Sequence, residues 1–531
     1  MAPCELCGAE NASTTCLQCC NASYCSKEHQ EKHKEVHGKA CHPYIIKQSE
    51  VLGRYLAASR DVKGGELLHR ESPAAVGPQP GSPPLCMGCL NKISGLTEDS
   101  RFYHCPVCRV APFCCASCPN NMWHSQLECA TIASLNRKHG ALQQVALPPQ
   151  TVLPLRCYLL QSTNPQQWTT FMELEGHLEA RKGTLIWKSV DEGIVYILYK
   201  LGLISSKERD LFQKICAILD VNSFEVRGPE GDPLRAIYPT AALLSHDCLP
   251  STCIAHEPSD VTLIIRAAFD LKCGDLITHN YAGTLVSTIE RRESLRKGKY
   301  FECTCKRCQD PYELGTNLGS LKCPKCSKGP VVSKNPLDQS SAWMCQECKH
   351  EISGALAAVT HSVARTVITE CDQDDVEEVE MLLFKLKKSF YPGNAVLLEV
   401  GQLLAGLYNE DALQWEISNR PYYPLRRRWE LCKELLETLS KLEPGISRTK
   451  GVCMYEMASA ALALASRCIE REDHDLKEIK LIIEKSECLL QQSIANFLYE
   501  PEGSPERKLI YSAASSIEKC RHLASQISNR T

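Results

Sequence analysis

The spacing of the cysteines constrains the fold of this chain more than any other feature of its sequence. The chain has 531 residues and 33 cysteines, many of them in pairs with two intervening residues. It opens with MAPCELCGAE, which lacks the apolar core of a signal peptide, and no uninterrupted apolar run is long enough to span a bilayer. Paired cysteines in a reducing compartment favour zinc over disulfides. We therefore expect an intracellular protein, in the cytoplasm, the nucleus or both, that does not enter a membrane.

The first 41 residues contain four pairs of candidate ligands, two with two intervening residues and two with three, and histidine replaces one cysteine in each of the last two. The eight candidate ligands are Cys4, Cys7, Cys16, Cys19, Cys25, His29, His37 and Cys41. Each structural zinc takes four nitrogen or sulfur ligands in a tetrahedron, so four pairs predict two zinc sites. A zinc-stabilised fold that binds no partner is as reasonable an interpretation of this segment as a partner-binding module.

Three further groups of cysteines follow along the chain. The first contains Cys86, Cys89, Cys105, Cys108, Cys114, Cys118, His124 and Cys129, with Cys115 as an alternative ligand beside Cys114. The second packs Cys303, Cys305 and Cys308 into six residues, which suits one metal ion and not disulfide pairing. The third, Cys323, Cys326, Cys345 and Cys348, has the spacing of a zinc ribbon.

The rest of the sequence divides into strand-like and helical parts. Residues 45–80 consist of short β-prone pieces and turns, and an apolar run from Leu263 to Ala268 precedes a second apolar stretch that ends at Tyr281. Residues 130–235 and 351–531 carry apolar side chains at helical spacing. Cys157 and Cys216 lie on apolar faces of these helices, where we expect small core residues and not ligands.

Three motifs between residues 244 and 308 point to a known family. They read Leu-x-His-x-Cys-x-Pro, Gly-Asp-x-Ile-Thr-x-x-Tyr and Phe-x-Cys-x-Cys-x-x-Cys. In this order they resemble the core and post-SET segments of a SET domain. Together with the flanking cysteine groups, the chain resembles the SET- and MYND-domain (SMYD) proteins, and within them the arthropod SmydA branch.

The resemblance implies a multi-domain α+β fold with zinc-stabilised MYND fingers, a split β-rich SET domain and a C-terminal helical, tetratricopeptide-like domain. The expected order is a MYND finger (1–44), the N-terminal part of the SET domain (45–85), a second, inserted MYND-like finger (86–130), a helical insert (131–235), the SET core (236–285), the post-SET segment with a zinc ribbon (286–350) and the helical domain (351–531).

The resemblance also implies how the zinc ligands are shared. In a MYND finger the first and third pairs hold one ion and the second and fourth pairs hold the other. The expected sets are Cys4, Cys7, Cys25 and His29; Cys16, Cys19, His37 and Cys41; Cys86, Cys89, Cys114 and Cys118; and Cys105, Cys108, His124 and Cys129. Cys248 is expected to join Cys303, Cys305 and Cys308, so that, with the ribbon, up to six structural zinc ions are predicted.

The activity that the resemblance implies is S-adenosylmethionine-dependent protein-lysine N-methylation, with roles in transcriptional regulation and chromatin. Tyr281 matches the family's tyrosine near the transferred methyl group. The residues expected at the methyl donor are Gly53, Arg54, Ser245, His246, Tyr281 and Phe301. The alternative is that Tyr281 is an ordinary half-buried strand residue.

Three positions depart from the family pattern and favour a second hypothesis. Tyr55 stands where the family has glycine, and Ser245 stands where it has asparagine. Counting back from the post-SET cysteines places Lys299 at a tyrosine position, with Tyr300 offset by one residue and, in an extended chain, turned to the other face. These departures favour a catalytically weak or inactive SET/MYND scaffold that binds partner proteins.

Charge narrows the choice of partners. A net charge of −3 and a pI near 6.6 argue against a general nucleic-acid or membrane-surface binder. We expect protein substrates or peptide partners such as histone tails or proline-containing segments. The acidic run from Glu370 to Glu380 is expected to be a solvated helix face, although it could also attract a basic partner.

Overall fold

The computed structural model describes residues 3–10, 12–16, 22–41, 43–83, 85–93, 103–109, 112–121, 123–139, 147–408, 423–471 and 476–530. These residues form two compact units. The first contains residues 1–56, 67–244 and 254–265, and the second contains residues 57–66, 245–253 and 266–531, in both cases apart from the residues outside the described ranges.

The strands are short, as the frequent turn residues between the β-prone pieces predict. In chain order they are β1 (Thr14–Thr15), β2 (Ser23–Tyr24), β3 (Tyr44–Ser49), β4 (Gly53–Ala58), β5 (Leu67–Glu71), β6 (Ala75–Pro78), β7 (Phe224–Arg227), β8 (Pro233–Ile237), β9 (Ser245–His246), β10 (Thr252–His256), β11 (Leu263–Ala267), β12 (Thr278–His279), β13 (Leu321–Lys322), β14 (Pro330–Ser333), β15 (Trp343–Cys345) and β16 (Glu351–Ile352).

Helices account for most of the remaining structure. In chain order they are α1 (Lys27–Lys32), α2 (Lys34–Cys41), α3 (Cys129–His139), α4 (Pro149–Thr163), α5 (Pro165–Met172), α6 (Leu178–Arg181), α7 (Leu185–Val190), α8 (Tyr196–Lys200), α9 (Arg209–Asn222), α10 (Thr288–Lys299), α11 (Lys306–Gln309), α12 (Gly354–Glu370), α13 (Val376–Leu386), α14 (Ala395–Leu407), α15 (Tyr423–Leu442), α16 (Arg448–Arg471), α17 (Leu476–Phe497) and α18 (Pro505–Arg530). A π-helical turn, Trp123–Glu128, leads directly into α3.

The strands pair in several small sheets. The sheets have the orders β3-β4, β6-β8-β7, β10-β11-β5, β9-β12 and β13-β14-β15-β16, with β1 and β2 as a separate antiparallel pair. Only β9 and β12 are parallel among the pairs whose register is described. This division into small sheets is the β-rich part of the predicted α+β fold.

The core of the first unit is formed where α4 packs on β6. Gly77 in β6 permits this approach, because a Cβ atom there would lie 2.9 Å from the Cβ of Leu153. Cys157 of α4 and Cys216 of α9 are 0% and 3% exposed. The prediction that they are small core residues is therefore confirmed.

The second unit contains the four-stranded β13–β16 sheet and a series of helices in which neighbours in sequence pack on each other from α13 to α18, apart from the segment 409–422 that is not described. The predicted helical C-terminal region is confirmed. One helix, spanning Arg448–Ile469 of α16, has a mean hydropathy of 1.3 and could cross a membrane by length and composition alone. The core helix of a soluble protein passes the same test, and 44% of this stretch is buried.

Candidate functional site

The parallel pairing of β9 and β12 brings two of the sequence motifs together. Ser245 is paired with Thr278, and His246 is paired with His279. The hydroxyl of Thr278 accepts a hydrogen bond from the backbone N–H of Ser251 at 3.0 Å, and the hydroxyl of Ser251 accepts one from the N–H of Thr278 at 2.8 Å. These reciprocal bonds fix the register that places His246 beside the residues following β12.

The ring of His246 is held by two directed contacts. The backbone N–H of Tyr281 donates to Nδ1 of His246 at 3.1 Å, and Nε2 lies 3.3 Å from Sγ of Cys248. Burial lowers the pKa of His246 to about 4, so the ring is neutral near pH 7. Since Nδ1 accepts, Nε2 carries the proton and donates to the sulfur. His246 thereby connects the Tyr281 backbone to Cys248.

An aromatic cluster forms around this histidine. The ring centroids of His246 and Tyr281 are 5.1 Å apart, those of His246 and Phe301 are 5.7 Å apart, and those of His279 and Tyr281 are 6.4 Å apart. Burial raises the pKa of Tyr281, so its hydroxyl is protonated at neutral pH. Nζ of Lys299 lies 5.5 Å from the centroid of the Tyr281 ring.

The chain turns sharply between Lys299 and Phe301. Helix α10 ends at Lys299, and Tyr300 adopts φ 61° and ψ 27°, in the left-handed region. This conformation is uncommon for a bulky residue and costs about 1 kcal/mol or more. The assumption of an extended chain at Tyr300 was wrong. The turn, and not strand alternation, sets the directions of the side chains here, and those of Lys299 and Phe301 both reach the aromatic cluster.

Four cysteines converge next to the cluster. The sulfur atoms of Cys248, Cys303, Cys305 and Cys308 lie within 4.8 Å of one another. Sγ of Cys248 is 3.9 Å from Sγ of Cys303 and 3.6 Å from Sγ of Cys308. Zinc–sulfur bonds of about 2.3 Å place the sulfurs of a tetrahedron about 3.8 Å apart, so the spacing fits one zinc ion.

Buried arginines surround these sulfurs. Nε of Arg291 lies 3.2 Å from Sγ of Cys248, and its Nη1 donates to Glu313 at 2.7 Å. Four thiolates around Zn²⁺ leave uncancelled negative charge, which is costly in a low-dielectric interior. Burial would lower the pKa of Arg291, but Glu313 and the sulfur atoms raise it above its ordinary value, so the guanidinium stays charged. Arg291 therefore balances the charge of the four-cysteine cluster.

The first unit holds the other two predicted donor-site residues. Gly53 opens β4 with φ 63°, and a Cβ atom there would meet nothing within 4 Å, so conformation and not space favours glycine. Arg54 donates to a side-chain oxygen and to the carbonyl oxygen of Glu173, each at 2.9 Å. Ser245, His246, Tyr281 and Phe301 belong to the second unit.

The structure brings together four more of the predicted zinc sets. The sets within 4.8 Å are Cys4, Cys7, Cys25 and His29; Cys86, Cys89, Cys114 and Cys118; Cys105, Cys108, His124 and Cys129; and Cys323, Cys326, Cys345 and Cys348. Their sulfur–sulfur distances, such as 3.6 Å for Cys7–Cys25 and 3.7 Å for Cys326–Cys345, fit zinc as above. In the remaining set, Cys16 and Cys41 have sulfurs 3.5 Å apart, and Cys19 lies outside the described residues.

Known proteins resemble the chain in sequence. No model of a protein family matches the chain. The SET domain-containing protein SmydA-8, isoform B, of Drosophila melanogaster is 28% identical over 370 residues, covering 67% of this chain and 78% of that protein. Over two thirds of its length the chain is therefore similar to a SmydA protein, in agreement with the motifs between residues 244 and 308.

Two further relatives are named as enzymes. Human histone-lysine N-methyltransferase SMYD3 is 26% identical over 48% of this chain and 59% of that protein, and Arabidopsis thaliana histone-lysine N-methyltransferase ASHR1 is 23% identical over 64% and 73%. Among solved structures, the SET domain of LSMT bound to lysine and AdoHcy has a TM-score of 0.29 and 11% identity, covering 95% of this chain and 91% of that one. A TM-score of 0.29 supports no argument about this chain.

The second MYND-like finger contains a buried ion pair that the spacing of its cysteines does not reveal. Nδ1 of His124 lies 3.0 Å from Oε1 of Glu128, and Nε of Arg156 donates to Oε2 of Glu128 at 2.7 Å. Arg156 also donates to the carbonyl oxygens of Val76 and Met87, at 2.8 and 2.7 Å. The only sequence signal was the four-residue interval between His124 and Glu128, because Arg156 comes from a separate helix.

Proposed function

We propose that this SMYD-like protein is an S-adenosylmethionine-dependent protein-lysine N-methyltransferase. The observation that carries the proposal is the protonated Tyr281 hydroxyl in a cluster with His246 and Phe301. The β9–β12 pairing aligns His246 with the strand that leads to Tyr281. Relatives that carry the methyltransferase name support the same reaction class.

The chemistry assigns different tasks to these side chains. A lysine amine must be neutral to attack the methyl group of the donor's sulfonium, and it must approach in line with the breaking carbon–sulfur bond. The Tyr281 hydroxyl would accept or donate a hydrogen bond at the amine and fix its direction, while the rings of His246 and Phe301 flank the site. Since His246 and Tyr281 are both uncharged near pH 7, neither would trap the acceptor as an ammonium ion.

We further propose that the donor is bound by the residues that match the family motif, Gly53, Arg54, Ser245, His246, Tyr281 and Phe301. Metals have no catalytic task in this proposal. Each of the proposed zinc sets already supplies four ligands, so no position is left on the metal for a water molecule or a substrate. The domain division given by the motifs, from the finger at 1–44 to the helical domain at 351–531, is part of the same proposal.

Donor binding is tested by calorimetric titration of S-adenosylmethionine into zinc-replete full-length protein, with Ser245→Asn measured alongside. We expect saturable binding to the wild type, and tighter binding to Ser245→Asn because an asparagine amide offers the donor an additional hydrogen-bonding group. Loss of one buried hydrogen bond typically costs about 1–3 kcal/mol. No heat from the wild type, with binding gained only in Ser245→Asn, would indicate a donor site that has lost its function.

A second candidate function is a scaffold without catalysis, which binds partners through its zinc fingers. The contact of the Lys299 ammonium with the ring of Tyr281 favours it, because a resident cation there competes with an acceptor lysine. Partners would be proline-containing segments of cytoplasmic or nuclear proteins, and histone tails would be substrates in the enzymatic alternative. If the protein binds no S-adenosylmethionine but binds a proline-containing peptide on a peptide array, the result would support the scaffold.

A further inference from the structure

Lys299 is placed next to the proposed methyl-transfer tyrosine by the fold itself. Its Nζ lies 5.5 Å from the centroid of the Tyr281 ring, and the side chain is half-buried. An ammonium over a tyrosine ring within about 6 Å is held there by the ring quadrupole. A lysine of this chain therefore already lies beside the ring of Tyr281.

The backbone supports this placement. Lys299 is the last residue of α10, and Tyr300 follows in the left-handed conformation. Strained conformations of bulky residues persist only where the surroundings impose them, and they are concentrated at functional sites. The turn directs the side chain of Lys299 to Tyr281 and the ring of Phe301 to His246, so that both residues border the same aromatic cluster.

We propose that Lys299 is itself a methyl acceptor, so that the protein modifies its own chain at this site. The inference rests on the proposed function and extends it by naming an acceptor. The Nζ ammonium first loses a proton to water. The Nζ lone pair then forms a bond to the methyl carbon of S-adenosylmethionine, and the carbon–sulfur bond breaks with its electron pair passing to sulfur. The products are N-methyl-Lys299 and the uncharged thioether S-adenosylhomocysteine.

A neighbouring lysine provides a matched control. Lys297 is two residues away on the same helix, but its side chain is 69% exposed and its Nζ is paired with Glu293 at 2.7 Å. Two residues along a helix do not share a face. Non-enzymatic methylation would label the exposed Lys297 at least as readily as Lys299, whereas transfer at Tyr281 selects Lys299.

The test is peptide mass spectrometry of zinc-replete full-length protein incubated with S-adenosylmethionine that carries a deuterated methyl group. Cleavage after glutamate releases residues 294–302, and fragmentation of this peptide distinguishes Lys297 from Lys299. We expect label on Lys299 and none on Lys297. Lys299→Arg should remove the label while Lys297→Arg retains it, and the labelled fraction should grow at a rate independent of protein concentration, as an intramolecular reaction requires.

Three outcomes would overturn the proposal. They are label on both lysines, a rate that rises with protein concentration, and an unlabelled Lys299 in protein that binds the donor and methylates an added protein. The last outcome leaves the proposed function intact, because only the acceptor is wrong. Absence of donor binding by calorimetry is the distinct result that removes the proposed function itself, so the two failures are separable.

Discussion

The zinc-ligand set of His29, in the first MYND-like finger, and the set of His124, in the second, differ in what surrounds them. In the second finger, His124 and all three of its partner cysteines are buried, and Nδ1 of His124 is bonded to Glu128. In the first finger, Nδ1 of His29 instead faces the sulfurs of Cys4 and Cys25, at 3.7 and 3.2 Å, and the set is partly exposed. The two histidines thus present opposite ring nitrogens to their ligand sets.

The His124 set is anchored to the rest of the first unit through Glu128 and Arg156. Arg156 joins the second finger to β6 through the carbonyl oxygen of Val76, and both Arg156 and Glu128 are fully buried. Burial would raise the pKa of Glu128, but Arg156 and His124 lower it below its ordinary value, so the carboxylate is charged. The His124 set of the second finger is therefore part of the core of the first unit, whereas the His29 set of the first finger is partly exposed.

The largest expected effect follows from removing the buried arginine. Arg156→Met leaves Glu128 charged, buried and without its main partner, and breaking such a pair typically costs about 3–5 kcal/mol. We expect a corresponding drop in the stability of the first unit in denaturant unfolding. In the first finger, Lys32→Met removes an exposed ion pair with Glu28 and should leave the unfolding midpoint unchanged. Equal midpoints for wild type and Arg156→Met would contradict the comparison.

A substitution at Glu128 tests the zinc site of His124 while Arg156 is kept. Glu128→Gln keeps the shape of the side chain but removes the charge that orients His124 and increases its basicity. Loss of such a partner typically weakens metal binding about 10–100-fold. Competition with a chromophoric chelator should show one weakened zinc equivalent, and Glu35→Gln in the first finger, on exposed helix α2, should show none.

The exposure of the cysteine ligands should also set the order in which the zinc sites lose their metal. Under a chelator in the presence of an alkylating agent, we expect Cys7, which is exposed, to be alkylated before Cys105 and Cys108, which are buried. Mass spectrometry of timed samples identifies each modified cysteine. Alkylation of Cys105 at the same rate as Cys7 would show that burial does not set the order in which these sites lose metal.

The smallest effect is expected from exchanging the histidine ligand of the first finger. His29→Cys exchanges one good zinc ligand for another, and zinc accepts both. We expect affinity for the first-finger ion to change by less than about threefold. His124→Cys should weaken binding by considerably more, because it also removes the hydrogen bond between the ligand and Glu128. Similar effects of the two exchanges would remove the distinction between the fingers.

The zinc sets and the elements around them were accessible from sequence, because ligand spacing is local. The combination of Cys248 with Cys303, Cys305 and Cys308 required a family resemblance, since it joins distant segments. Arg156, Glu128 and Arg291 were missed because their importance arises from contacts across many residues of sequence. The spacing of ligands gives no sign of an arginine that reaches a cysteine sulfur from a distant part of the chain, as Arg291 reaches Cys248.

The region around Tyr281 shows a second limit of prediction from sequence. Its motif was recognised, and yet the direction of the neighbouring side chains depended on one backbone angle. The φ of 61° at Tyr300 is not encoded in an obvious way, because tyrosine seldom adopts it. Strand alternation therefore gave the wrong geometry, and the approach of Lys299 to the Tyr281 ring could be seen only in the folded chain.

The most direct test of the central claim is a transfer measurement on Tyr281→Phe. The change removes one hydroxyl and keeps the aromatic ring, so donor binding by calorimetry should remain within about threefold of wild type. Transfer of labelled methyl to protein should fall by about 100-fold, as expected when a group that orients the reacting amine is lost. Equal transfer by wild type and Tyr281→Phe, with donor binding intact in both, would contradict the claim that methyl transfer takes place at Tyr281.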